Sequence, residues 1–317
     1  MTLSHIRHAK RALTTAGLAL MLTAVVATPT GTQAGTYVTK RLTGPERTIV
    51  YSATGTWLAT LTDGARTVGL RGPSRTFGES TTTATVTTTV WVRILPRPFT
   101  GTVDTSWLSL ALADRTPDVL EVASQYTTGA PRRLDSSGLQ FAGDADYGPL
   151  QADGTRSAGS DFNDYLGIDW TYAAGRDQPE LNQLRSLDCS GFVRMVFGYR
   201  MGVPMTLSPD GGSSLPRRAA DIASSAPGVV VIANNGVRPG SRSLLQPGDL
   251  VFFDASVDDA GQIDHVGIFL GRDAYGHDRF LSSRKIANGP TLGNLGGASV
   301  LDGTGLYAAS FRTARRI

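Results

Sequence analysis

The chain has 317 residues and a single cysteine, Cys189. One thiol excludes an internal disulfide framework. Histidine is almost as scarce. Of four, His5 and His8 stand in the first 34 residues, which leaves His265 and His277 for the rest. A zinc centre of His and Cys ligands is hard to build from that stock, so no metal is expected. Charge of one sign is also missing. There are 30 Lys plus Arg against 27 Asp plus Glu, and Arg7, Lys10 and Arg11 fall in the first 34 residues, which hold no acid. Removing those three from the 30 leaves 27 against 27, and with them goes the electrostatic reason to expect nucleic acid or an anionic membrane as partner. A long hydrophobic run is lacking too: Ala12 to Ala27, an apolar stretch, is too short and too rich in Ala and Thr to be a membrane span. No internal repeat is evident.

What the first 34 residues do have is the layout of an export signal, with basic residues, an apolar run, and small residues near Ala27 and Ala34 where cleavage is expected. The exported protein would then have no stable membrane span.

From Tyr37 to about Pro98 the pattern is strand-like. Residues 48–51, 57–61, 66–70 and 90–95 are short β-favouring runs, and Asp63-Gly64 reads as a tight turn. Thr116-Pro117 opens a helix through Val119, Leu120, Val122 and Ala123. Residues 131–159 are rich in Gly, Asp, Ser and Arg without periodicity, and a domain boundary is expected there. The organisation expected is therefore a signal at 1–34, a β-rich accessory module with a helix and linker at 35–150, and a second domain at 155–317. In the latter, short helices near 160–166, from Cys189 toward Met201, and near 216–223 come before strand runs at 229–232, 249–253, 265–270, 279–282 and around 305–308. Helices first and strands after give an α+β fold with a mainly antiparallel sheet.

Asp188 stands just before the apolar run Cys189 to Tyr199, as an N-cap does, with Gly202 as the stop. That places the sulfur in the first helical turn, where orphan N–H groups and the helix dipole favour a thiolate. Taken alone, a lone Cys is more often a small buried hydrophobe, and a lone His a satisfied structural one. Together, a Cys at a helix start and His265 at the head of a strand have the makings of a nucleophile and its base, which only the fold can bring together.

Three stretches sharpen this. Asp188-Cys189-Ser190-Gly191-Phe192-Val193, Gln246-Pro247-Gly248-Asp249-Leu250-Val251-Phe252-Phe253, and Asp264-His265-Val266-Gly267-Ile268-Phe269-Leu270-Gly271, in this order, resemble the NlpC family of cell-wall cysteine peptidases. Tyr172 with Gly175, and Leu215-Pro216-Arg217, match as well; the resemblance runs from about 155 to the C-terminus. It implies a papain-like α+β domain without cofactor, acting on peptidoglycan stem peptides. It further implies Cys189 as nucleophile, His265 as base, and Tyr172, Asp188 and Ser190 beside the substrate. The family's third polar residue is commonly His, Asn or Gln on the strand after the His. Here strand pairing selects Ser282, whereas counting residues selects His277, which lies in a stretch of turn composition. The rival readings are a papain-like amidase or acyltransferase on wall substrates, and a wall-binding protein with little or no turnover.

Overall fold

The computed structural model describes residues 37–256 and 261–317; the expected export signal lies outside them. The first strands are β1 (Val38–Leu42), β2 (Arg47–Tyr51), β3 (Trp57–Thr62), β4 (Thr67–Phe77) and β5 (Val86–Ile94). They form an antiparallel meander in chain order. The tight turn expected at Asp63-Gly64 is there, with Gly64 at φ +82°. One face of the meander buries Val50, Ala59, Leu61, Val68 and Leu70 with Phe99 and Leu108. Leu108 belongs to α1 (Thr105–Ala113), a helix not anticipated from sequence, although Asp104 caps it by accepting from the Trp107 N–H at 2.9 Å. The next helix, α2 (Val119–Ser124), was expected, but its cap is Asp118 rather than Thr116, accepting from the Glu121 N–H at 3.0 Å. A carboxylate three residues before the donor satisfies it better than the hydroxyl farther back.

The hairpin β6 (Arg133–Leu134) and β7 (Gln140–Ala142) leads to α3 (Phe162–Leu166). This is the short helix expected near 160–166, and Asp161 and Asp164 make a reciprocal capping box at its start. After β8 (Trp170–Tyr172) and β9 (Gly175–Asp177) comes α4 (Cys189–Val193), prolonged as a π-helical segment over Arg194–Arg200. The segment ends before Gly202 at φ +75°. Then follow α5 (Ala219–Ser225), β10 (Val229–Ile232), β11 (Leu250–Phe253), β12 (His265–Arg272), β13 (Asp278–Arg284), β14 (Gly289–Thr291), α6 (Leu306–Ser310) and β15 (Phe311–Arg316). The strand expected around 305–308 is thus a helical turn, and the strand starts at Phe311. The α+β class expected from sequence holds. The second sheet has the order β10-β15-β11-β12-β13-β14, every pair antiparallel. Among the described residues no helix is long and apolar enough to cross a membrane.

The core under α4 does not stop at the boundary expected near residue 150. Val92 of β5 and Val119, Leu120, Val122, Ala123 and Tyr126 share one buried cluster with Phe162, Phe192, Val196 and Leu250. Residues 34–317 form a single compact unit. Two further ties explain this. Gly248, at φ +92°, lies so close to β5 that a Cβ there would meet Val92 Cγ1 at 2.6 Å. At the C-terminus, the Ile317 carbonyl accepts from the N–H groups of Arg66 and Thr67 at 2.8 and 2.5 Å. The neighbouring Arg316 makes a buried bidentate pair with Asp249 (both 2.8 Å) and donates to Thr62 at 2.7 Å. Asp249 therefore has a structural part.

Candidate active site

Cys189 is the first residue of α4 because Asp188 caps the helix: its Oδ1 accepts from the Gly191 N–H at 2.7 Å. Gly191 is required by proximity, since a Cβ there would come within 2.1 Å of the Ser160 carbonyl oxygen. The loop ahead of the cap is fastened on both sides. The Leu187 N–H donates to the Asp146 carbonyl at 2.8 Å, and Ser283 of β13 donates its hydroxyl to the Leu187 carbonyl at 2.5 Å. The sulfur is thereby held against the head of β12, with Sγ 3.8 Å from the Asp264 carbonyl oxygen.

His265 opens β12 and is nearly buried. Its Nε2 lies 3.0 Å from Ser282 Oγ on β13, and its ring faces Tyr307 of α6 at a centroid distance of 5.1 Å. Strand pairing, not residue spacing, locates this partner. His277 sits at the exposed β12–β13 turn, where its Nδ1 pairs with Asp302 at 2.6 Å.

Cys189, Asp188 and Ser190 wall a cavity of about 580 Å³, together with Tyr147, Arg217 and Asp264. His265 walls a second cavity of about 390 Å³ with Arg284, Lys285 and Tyr307. Tyr147, Ala158 and Asp264 line both, so the two are neighbouring halves of one cleft. Tyr172 is not among the lining residues. Expected beside the substrate, it is instead buried, its hydroxyl accepting from Arg194 Nη2 at 2.5 Å. Arg194 is itself paired with Asp161, so the aromatic match upstream of the cysteine serves the core.

Sequence reasoning gave no role to Arg217, Arg284 or Tyr147. Arg217 donates to Ser190 Oγ at 2.7 Å, to Asp188 Oδ2 at 2.8 Å and to the Gly159 carbonyl at 2.6 Å, which knits the cysteine loop together. The Leu215-Pro216-Arg217 match was its only signal. Tyr147 falls in a stretch without periodicity and had none.

Electrostatics departs from the expectation of a ready thiolate. Burial pushes the Cys189 thiol up to about 12, the Asp188 charge adding to it and outweighing the donors at the helix start. Burial likewise lowers His265, with the Arg284 charge in support, to about 3. Asp188 is the reverse case: burial pushes its carboxyl up, but Arg217 and the N–H groups of Gly191 and Gly159 outweigh that and hold it below the usual range. The resting pair is therefore a thiol and a neutral imidazole. Iodoacetamide is accordingly expected to label Cys189 of the folded protein more slowly than a free thiol, with a rate that still climbs above pH 9. A labelling rate at pH 6 above that of a free thiol would show a preformed thiolate instead.

Among the described residues no group of three or more His, Cys, Asp or Glu is placed to hold a metal ion. In comparison with known proteins, residues 169–291 match the model of the NlpC/P60 family. A solved structure described as similar to a lipoprotein of the NLP/P60 family, from Staphylococcus aureus subsp. aureus Mu50, is 21% identical. The similarity covers 49% of this chain and 38% of that one, with a TM-score of 0.26, too low to carry any inference. No curated protein matches. The family match starts at Asp169 and stops at Thr291, short of β15 in the second sheet, but it contains all three motifs that build the cleft. Residues 169–291 are an NlpC/P60 family domain, of a family that is generally one of cell-wall peptidases.

Proposed function

We propose that this protein is an exported cysteine peptidase that cleaves peptide bonds in peptidoglycan stem peptides through a Cys189 acyl-enzyme. The observation that carries the reading is the cleft itself. One half is walled by the lone thiol at a helix start, the adjoining half by a histidine whose Nε2 lies 3.0 Å from Ser282 Oγ, and Asp264, next to that histidine in the chain, borders both.

In this mechanism the Cys189 sulfur attacks the scissile carbonyl carbon while His265 takes the thiol proton. The negative oxygen formed meets the N–H groups at the start of α4. His265 then gives the proton to the leaving amine, the C–N bond breaks, and an S-acyl enzyme remains. Water, deprotonated by the same imidazole, attacks that thioester and releases the carboxylic acid and the thiol. Because thiol and imidazole are both neutral at rest, the proton moves as the sulfur attacks rather than beforehand. The role of Ser282 is to keep the ring facing the cleft.

Digestion of purified peptidoglycan, with mass analysis of the products, tests the reading. New amino and carboxyl ends within the stem peptides are expected. Intact stems freed from glycan would make the protein an amidase, and no release with retained wall binding would make it a binding protein. Within the same assay, Ser282→Ala is expected to lower kcat by about ten- to a hundredfold, as loss of an orienting partner does, and His277→Ala to stay near wild type. The reverse ranking would mean that His277 orients the base.

A further inference from the structure

The buried arginines of this protein divide into two kinds. Arg194, Arg279 and Arg316 each meet a buried aspartate, at 2.9, 2.7 and 2.8 Å. Arg284 does not. It is 2% exposed, yet no carboxylate pairs with it among the described residues. Its Nη1 and Nη2 donate to the Gly297 carbonyl and to Ser299 Oγ, and its plane lies over the rings of Tyr307 and Phe280, 4.5 and 5.3 Å from their centroids. A buried cation without a counter-ion is costly to keep. Its third nitrogen, Nε, donates to Ser282 Oγ at 3.0 Å, the same oxygen that lies 3.0 Å from His265 Nε2.

We propose that Arg284 is a positioning residue for His265, acting through the Ser282 hydroxyl that it holds. The inference rests on the reading of His265 as the base. A serine oxygen has two lone pairs and one proton. The guanidinium occupies one lone pair and pins the oxygen, so the other is free to accept from the imidazole Nε2–H, the tautomer that leaves the opposite nitrogen open to take the thiol proton. A serine without this clamp is a mobile rotor and a poor substitute for an amide or imidazole orienter. The arginine also gives the pair a positive charge, which opposes a second proton on the ring. The same opposition makes the imidazolium, once formed during attack, quick to surrender its proton to the leaving amine.

Other charged and titratable groups line the cleft around the ring. Asp188 caps α4 and Cys189 opens it, Asp264 precedes the histidine in the chain, Lys285 follows β13, and Tyr147 and Tyr307 come from the cleft wall. Asp188 acts against Arg284, favouring the imidazolium, and the arginine and burial prevail.

The test is an NMR pH titration of the His265 ring in the full chain without substrate, assigned with the help of His277→Ala. In wild type the ring is expected to stay neutral well below pH 6. In Arg284→Gln its protonation midpoint is expected to rise by about one pH unit or more, since a like charge has been removed from nearby. The acid limb of kcat/KM should move up with it, and kcat should fall more than KM changes. An unchanged midpoint and tautomer in a folded Arg284→Gln protein would overturn the proposal. If that variant does not fold, Ser299→Ala keeps the arginine and loosens only its clamp. It should broaden the His265 ring signals and lower kcat, and wild-type signals with wild-type kcat would overturn the proposal equally. Because the titration needs no substrate, failure of stem peptides as substrates would remove the proposed activity while leaving this result standing.

Discussion

Cys189→Ala is expected to abolish hydrolysis of stem peptides while the protein folds as before. Without the sulfur no acyl-enzyme forms, and loss of a covalent nucleophile lowers kcat by roughly four to six orders of magnitude. Little of the fold depends on the thiol. Its Sγ lies a long 3.8 Å from the Asp264 carbonyl oxygen, and the helix start is held by Asp188 through the Gly191 N–H. Circular dichroism and the midpoint of thermal unfolding should match wild type closely. Residual turnover near the wild-type rate in a folded alanine variant would end the covalent mechanism. A variant that lost activity only because it unfolded would show instead that the thiol is a core side chain.

The second large effect concerns stability. A chain starting at residue 155 keeps all three motifs, and the composition of residues 131–159 marks it as a natural fragment. It is expected to be insoluble or unfolded. Deleting what precedes it strips Val119, Leu120, Val122 and Tyr126, all at 0–1% exposure, from the cluster around Phe192 and Val196. Each such side chain contributes about 1.5–3 kcal/mol on burial. Four of them come to a sum within the net stability of a domain, about 5–15 kcal/mol. Polar groups lose partners as well. Arg200 would lose Tyr126 Oη and Gln125 Oε1, both at 3.0 Å, and the Ile317 carbonyl would lose both of its donors. Expression of residues 155–317 followed by size-exclusion chromatography and chemical unfolding checks this. A soluble fragment with a cooperative transition and wild-type kcat would show that the two parts fold independently.

Legibility from sequence followed the reach of the interactions involved. The helix at Cys189 could be read because cap, apolar run and terminal glycine all lie within fifteen residues of one another. The strands at 250–253, 265–272 and 278–284 could be read because alternation and β-branched residues act locally. The choice of Ser282 over His277 also came from local pattern, through the apolar pair Phe280-Leu281 that registers β13 on β12. Misreadings came where a neighbour in space overrode the local signal. Residues 306–310 form a helical turn because Tyr307 packs there against His265, Phe253 and Phe280. The linker-like composition of 131–159 did not show that Asp146 and Tyr147 would be built into the wall beside the nucleophile.

By itself, then, the sequence determined the α+β class, the helix that presents Cys189, the strand that presents His265, and the serine that meets it. Each depends on capping, periodicity or pairing between adjacent strands. Only the tertiary structure decided the charge state of the pair and the company it keeps. Cys189 is a thiol at rest because burial and Asp188 outweigh the helix start. His265 is neutral because burial and the guanidinium of Arg284 act together on it. Tyr172 faces Arg194 rather than the cleft, and Arg217 reaches back 29 residues to Asp188. Desolvation and long-range ion pairing depend on what surrounds a group in space, and no window of neighbouring residues contains that.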